Sequence, residues 1–150
     1  MTEIYIDADA CPVKDEVLRV AERHQIKVHM VGNTWIRYGN SLLVNKVVVP
    51  EKPDAADDWI AKHIVTKDIC ITGDIPLARR CLEIGAAVIG HTGKPFTFDG
   101  IGMAMAMRDL NSHLRDTGEI RNHGRSFTKA DRSRFLSALE EIVRKQKANL

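Results

Sequence analysis

Along this chain, short apolar runs alternate with stretches whose apolar residues recur every three or four positions. The first run, Ile4-Tyr5-Ile6, ends in Asp7-Ala8-Asp9-Ala10-Cys11-Pro12. From Val13 to about His24, the residues Val13, Val17, Leu18, Val20 and Ala21 fall at helical spacing between charges, with Pro12 acceptable in the first turn. Ile26 to Gly32 is rich in branched residues and predicts a second strand, ending at Gly32-Asn33. Leu42 to Val49, closed by Pro50, predicts a third. Ala55 to Val65 predicts a helix burying Trp59, Ile60, Ile64 and Val65. Ile69 to Asp74 predicts a fourth strand, Ile75 to Ile84 a helix stopped by Gly85, and Ala86 to Gly90 a fully apolar fifth strand. Helices are expected from Ile101 to about Leu114 and from about Thr128 to Lys147, the last presenting Phe135, Leu136, Leu139, Ile142 and Val143. Strands joined through helices pair in parallel by right-handed crossovers. The expected fold class is therefore α/β: a three-layer sandwich around a mostly parallel central sheet of about five strands.

Composition narrows this picture. A length of 150 residues with 44% hydrophobic content suffices for one soluble domain, 1–150, with a real core. No apolar run approaches the ~18 residues that span a bilayer, and no basic segment with a hydrophobic core opens the chain, so a cytoplasmic location without membrane contact is expected. Cys11, Cys70 and Cys81 are odd in number and share no Cys-x-x-Cys spacing, which suggests neither a disulfide framework nor a thiolate zinc site; Cys70, in an apolar run, and Cys81, in a helix, are expected to be buried thiols. The net charge of +2 is unevenly spread. Residues 121–150 carry eight Lys/Arg against three acids, a net of +5, which leaves −3 for residues 1–120. A basic C-terminal helical segment from about residue 121 suits a polyanionic partner, or simply solubilises the outer face of a helix.

The acids change the picture most. If the first strand stays extended through Asp9, alternation puts Asp7 and Asp9 on one side. Two carboxylates about 4 Å apart repel by roughly 4 kcal/mol at an effective dielectric near 20, unless a cation, a shared proton or a donor lies between them. The alternative has Asp9 capping the next helix and Asp7 solvated. Asp54 is placed to cap the helix that follows it, with Asp57 and Asp58 in its first turn, where the helix dipole favours negative charge. Three carboxylates in five positions exceed what capping needs. Asp74 repeats the arrangement of Asp7, an apolar strand delivering an acid into a helix start, although it also suits an N-cap. In a parallel α/β sheet, ligands gather beyond the carboxyl ends of the strands where strand order reverses, so these acids are expected at one edge. An all-oxygen set of that kind suits Mg²⁺ or Mn²⁺ rather than zinc.

Other stretches leave alternatives open. Trp35, Arg37 and Tyr38 either hold a base and a phosphate or tuck against the sheet edge. Met103, Met105 and Met107 fall among Ala, Leu and Arg, where packing in the core or at the interface of a homo-oligomer is expected. Asp99 is isolated and its role is open.

Three blocks carry a resemblance: Asp7-Ala8-Asp9-Ala10-Cys11-Pro12-Val13, Asp54-Ala55-Ala56-Asp57-Asp58-Trp59-Ile60 and Thr72-Gly73-Asp74-Ile75-Pro76-Leu77-Ala78. Together they resemble the bacterial YaiI/YqxD family over nearly the whole chain, and that family is more distantly similar to the PIN-domain nucleases. The resemblance implies a PIN-like domain whose acidic pocket cleaves RNA or structured nucleic acid with Mg²⁺ or Mn²⁺. By position it makes Asp7, Asp57 or Asp58, and Asp74 metal ligands, with Thr72 orienting a ligand or phosphate and Asp9 a ligand or a supporting base. PIN nucleases often have a further acid after the next strand. Here that place holds Ile89-Gly90-His91-Thr92, with no acid until Asp99.

The expected function is a metal-dependent nuclease acting on RNA by hydrolysis. Lys14, Arg79 and Arg80 are candidate phosphate contacts, and Arg125, Lys129 and Arg132 candidate guides for the strand; each also suits a solvated helix charge. An alternative, favoured by the missing acid, is a PIN-like nucleic-acid-binding module without turnover. A third is a haloacid-dehalogenase-type phosphatase, with Asp7 as nucleophile and Asp9 as acid/base. Against it stand Cys11, where Thr or Val is usual, and the lack of an acid soon after Gly73-Asp74.

Overall fold

A computed structural model describes residues 2–33, 42–103, 106 and 127–148. Among these, five strands form one sheet: β1 (Ile4–Asp7), β2 (Val28–Gly32), β3 (Val44–Val48), β4 (Ile69–Ile71) and β5 (Ala87–Ile89). The order is β3-β2-β1-β4-β5 and every ladder is parallel. The central strand is thus β1. Successive strands build outward from it first through β2 and β3, then through β4 and β5, so the strand order reverses between β1 and β4.

Alternation along each strand separates two cores. Ile4, Ile6, Val28, Met30, Ile69, Ile71 and Ile89 face a layer formed by α1 (Lys14–His24) and the C-terminal helix α4 (Lys129–Ala148). Tyr5, Val31, Cys70 and Val88 face the other layer, formed by α2 (Ala55–His63) and α3 (Ile75–Ile84). Helices on both faces make the three layers that the sequence predicts. By the same period of two, Asp7 shares the face of Tyr5, toward α2 and α3.

Local chemistry fixes most element ends. Gly85 ends α3 in the left-handed region at φ 100°, its N–H bonded to the carbonyls of Cys81 and Leu82. A capping box opens α4, with the Asp131 N–H donating to Thr128 Oγ1 at 3.1 Å and the Thr128 N–H to Asp131 Oδ2 at 3.0 Å. Helix α4 inserts Phe135, Leu139 and Val143 beneath the sheet, all fully buried. It is also tied to α1 at its surface. Glu140 accepts from Arg23 at 3.0 Å and lies 2.6 Å from His24 Nε2, while Arg132 donates to the Pro12 carbonyl at 2.7 Å and to Glu16 at 3.1 Å.

Several expectations are adjusted. The fourth strand ends at Ile71 rather than Asp74, because Thr72-Gly73-Asp74 turns into α3. Beyond β5 the chain is helical over residues 98–103, where Met103 is 70% exposed and so is not a core residue of this chain. Met105, Met107, Trp35, Arg37 and Tyr38 lie outside the described residues. The three cysteines are free and buried, Cys70 and Cys81 as expected and Cys11 in addition. No helix among the described residues is long and apolar enough to cross a membrane.

Candidate functional site

The sheet edge between β1 and β4 gathers the acids. Asp7 is the last residue of β1, half-buried, and Thr72, fully buried, follows β4. The Thr72 hydroxyl bridges the two chain segments: it donates to Asp7 Oδ2 at 3.4 Å and accepts from the Asp74 N–H at 2.9 Å. Asp74 in turn caps α3, its Oδ1 accepting from the Leu77 N–H at 3.0 Å. One carboxylate therefore serves as helix cap and as neighbour of Asp7. The cap reading and the site reading of Asp74 describe the same geometry.

Asp57 joins from α2. It stands three residues before the fully buried Ile60 and seven before Ile64, so it lies on the stripe that faces the sheet. Asp58 does not. Its side chain is 66% exposed and paired with Arg80 Nη1 at 2.7 Å, tying α2 to α3 at the surface. That choice between adjacent acids was available in the sequence, since only Asp57 keeps the i, i+3, i+7 spacing with Ile60 and Ile64.

The carboxylates bear the cost of their proximity. Burial raises the Asp7 carboxyl above its ordinary range, and the charges of Asp74 and Asp9 raise it further against the opposing Thr72 hydrogen bond. Asp57 is pushed up to about 6, first by burial and then by Asp74, Asp7 and Asp54, with Arg80 acting the other way.

Asp9 reaches the site differently from expectation. The extended geometry stops at Asp7, because Ala8–Ala10 form a single 3₁₀ turn. Asp9 caps no helix either, since Val13 precedes α1 without a side-chain cap. Its carboxylate accepts from the Asn33 N–H at 3.2 and 2.9 Å, clasping the end of β2. The clasp needs Gly32: a Cβ there would stand 2.5 Å from Asp9 Oδ1.

Asp54 also departs from expectation. It precedes α2 in the left-handed region at φ 64° and makes no side-chain cap bond. Instead it lines a cleft of about 160 Å³ with Asp7, Asp9, Asp57, Asn33 and Lys52. Lys52, the one cation of that lining, carried no sequence signal, since it stands in a Pro-rich turn between elements. His91 was missed too. It follows β5, its ring lies 3.4 Å from where a Cβ on Gly73 would be, and its buried Nε2 has no hydrogen-bond partner among the described residues. Burial lowers its pKa.

The remaining predicted residues lie elsewhere. Lys14 is the first residue of α1 and half-buried. Arg79 pairs with Glu83 at 3.2 Å on the outside of α3, and Lys129 is exposed in the first turn of α4. Arg132 clasps α1 and lies over the Phe127 ring. Arg125 is outside the described residues. Asp99 is exposed in the first turn of the 98–103 helix.

Among the described residues no three His, Cys, Asp or Glu side chains converge tightly enough to cage a metal ion. What Asp7, Asp57, Asp74 and Thr72 offer is a spaced, all-oxygen donor set. It suits a hard cation that retains much of its water shell and takes one or two carboxylates.

Asp57 makes the site's electrostatics measurable in the metal-free protein. An ordinary Asp titrates near 3.8 and folded Asp57 at about 6, so the native state binds this proton more tightly. Its contribution to stability is complete below about pH 4 and is lost as pH rises through about 6. Asp7, shifted the same way, adds to the loss. Glu140 opposes it: burial alone would raise that carboxyl, but His24 and Arg23 hold it low, so its contribution is lost as pH falls. Allowing for solvent screening of a half-exposed group, Asp57→Asn is expected to be more stable than wild type by about 1 kcal/mol at pH 7, or some 2–4 °C, with no advantage at pH 4. Melting curves that differ equally at both pH values would count against this account.

Comparison with known proteins places the chain among relatives along nearly its whole length. The family described as "Uncharacterized BCR, YaiI/YqxD family" matches residues 5–145. A UPF0178 protein of Parvibaculum lavamentivorans is 61% identical over 143 residues, covering 95% of this chain and 94% of its own. A UPF0178 protein of Rhodospirillum rubrum is 58% identical over 142 residues, covering 94% and 95%. One of Paramagnetospirillum magneticum is 54% identical over 147 residues, covering 98% and 97%. No solved structure matches the chain.

Proposed function

The chain belongs to the YaiI/YqxD family, and from that premise we propose that it is a Mg²⁺- or Mn²⁺-dependent nuclease that hydrolyses phosphodiester bonds, with RNA as the favoured substrate. One observation carries the reading. Three sequence-distant elements bring Asp7, Asp57 and Asp74 to the same face of the sheet, at its point of strand reversal, where burial and mutual repulsion raise the Asp7 and Asp57 carboxyls. Negative charge crowded in this way is relieved by a cation.

Asp7, Asp57 and Asp74 would hold the metal. When bound, such an ion stabilises charge on phosphoryl oxygens and lowers the pKa of water. The protein's own part is positional. Thr72 fixes Asp7 relative to Asp74 through one buried hydroxyl, α3 holds Asp74 by its cap bond, and the Asp9 clasp to Asn33 holds the end of β2 beside β1. Lys52, in the lining of the cleft, supplies a positive charge for a phosphate oxygen.

The alternative of a nucleic-acid-binding module without turnover is favoured by the sequence after β5, where Ile89-Gly90-His91-Thr92 brings no further acid. Labelled single-stranded and structured RNA and DNA, incubated with Mn²⁺ or Mg²⁺, distinguish the two. Cutting that needs the metal and disappears in Asp7→Asn supports the nuclease. Salt-sensitive binding with no cutting by either protein supports the module.

A further inference from the structure

A second and larger cleft, of about 750 Å³, lies between the turn that follows β5 and α4. Thr92 and Lys94 form one wall, and Ser133, Arg134, Ser137 and Glu141 the other. Ser133, Ser137 and Glu141 stand at i, i+4 and i+8, so the two hydroxyls and the carboxylate follow one another along a single stripe of the helix. The charges on these walls are partly spoken for. Arg134 pairs with the buried Asp131 of the capping box, and Glu141 lies 3.4 Å from Lys145. Lys94 has no ion-pair partner among the described residues. Beyond these pairs the lining presents one unpaired ammonium and three hydroxyls, which is chemistry for phosphodiester oxygens rather than for an apolar ligand.

The turn that follows β5 links the cleft to the segment between Thr72 and Asp74. Gly93, at φ 92°, lies so close to α4 that a Cβ would stand 2.8 Å from the Arg134 carbonyl oxygen, so the turn rests directly on the helix backbone. The same turn begins at His91, whose ring packs over Gly73, between Thr72 and Asp74. The three residues that follow His91 in the chain, Thr92 to Lys94, line the cleft, so one short turn joins the Gly73 segment to it. A volume of this size accommodates a nucleotide-sized ligand.

We propose that this cleft holds backbone phosphates of the single strand flanking the scissile phosphodiester, with Lys94 as the charge and Ser133 and Ser137 as hydroxyl donors. The identity of the strand rests on the nuclease reading; the cleft's preference for phosphates does not.

Fluorescence anisotropy in the Asp7→Asn background, which leaves RNA uncut, tests the assignment with single-stranded RNA of two and twelve nucleotides. The longer strand is expected to bind at least about tenfold more tightly. Lys94→Ala should weaken it and reduce the slope of log affinity against log salt by about 0.7, the amount for one single-strand phosphate contact. Ser137→Asp, which adds charge at an exposed position, should weaken the longer strand in the same way. Dinucleotide binding, and Mn²⁺ affinity measured with Lys94→Ala in an otherwise wild-type chain, should not change. An unaltered salt slope in Lys94→Ala overturns the proposal, as does competition by poly-glutamate equal to that by RNA, which would make the partner an acidic polypeptide. Cutting by wild type with no Lys94 effect leaves the nuclease and removes the cleft. Lys94-dependent binding without cutting does the reverse.

Discussion

Asp7→Asn is expected to abolish metal-dependent cleavage and at the same time to raise the melting temperature of the metal-free protein by a few degrees. The two effects have one origin. Asp7 is half-buried at the end of the central strand, with its carboxyl raised by burial and by the charges of Asp74 and Asp9. Removing the charge relieves that repulsion and leaves a side chain of the same shape for the Thr72 hydroxyl to meet. What it removes from function is larger. Charge stabilisation by a bound cation is worth several kcal/mol, and each 1.36 kcal/mol is tenfold, so losing a principal ligand should lower the rate by on the order of 10²–10³ or more. Mn²⁺ should raise the melting temperature of wild type and not that of the variant. A variant that cuts RNA at near wild-type rate, or that melts lower than wild type without metal, would be incompatible with the assignment of Asp7.

Phe135→Ala is expected to destabilise the fold by about 3–5 kcal/mol, the usual range for emptying a buried aromatic site. Phe135 is fully buried in the layer shared by α1, α4 and the sheet. Chemical denaturation should report the loss, with a fall in melting temperature on the order of 10 °C. The surface ties between α1 and α4 offset little of it, because Arg23 and Arg132 are half-exposed and ion pairs of that kind contribute at most about 1 kcal/mol each. Phe135 lies on the face opposite the acids, so the folded variant should still bind Mn²⁺ with unchanged affinity. A loss below about 1 kcal/mol would show that α4 is held chiefly by its surface pairs.

Much of this architecture was legible in the sequence because its signals are local and redundant. Apolar strands ending in Asp7 and near Asp74 specify a parallel sheet and also name the edge where chemistry gathers. The layered arrangement follows from the alternation of Ile4, Tyr5 and Ile6 between two cores. What was not legible depends on backbone angles that composition leaves free. Asp54 in an extended conformation would cap α2; at φ 64° its carboxylate joins the cleft instead. Asp7 and Asp9 differ by a single 3₁₀ turn, and only the neighbouring strand reveals that Asp9 is bound to Asn33. Arg132 looked like a free cation because its partners, Pro12 and Glu16, are about 120 residues away in the chain.

The central position of β1 has a consequence for synthesis. Residues 4–7 leave the ribosome well before residues 69–71, yet one edge of this strand is closed only when residues 69–71 arrive to pair with it. At about 5–20 residues per second, the nascent chain spends roughly 3–13 s with that edge open. Asp7 and Asp74 first become neighbours at the end of this interval, so a growing chain brings these two acids together only once β4 is made, and α4 covers the opposite face later still.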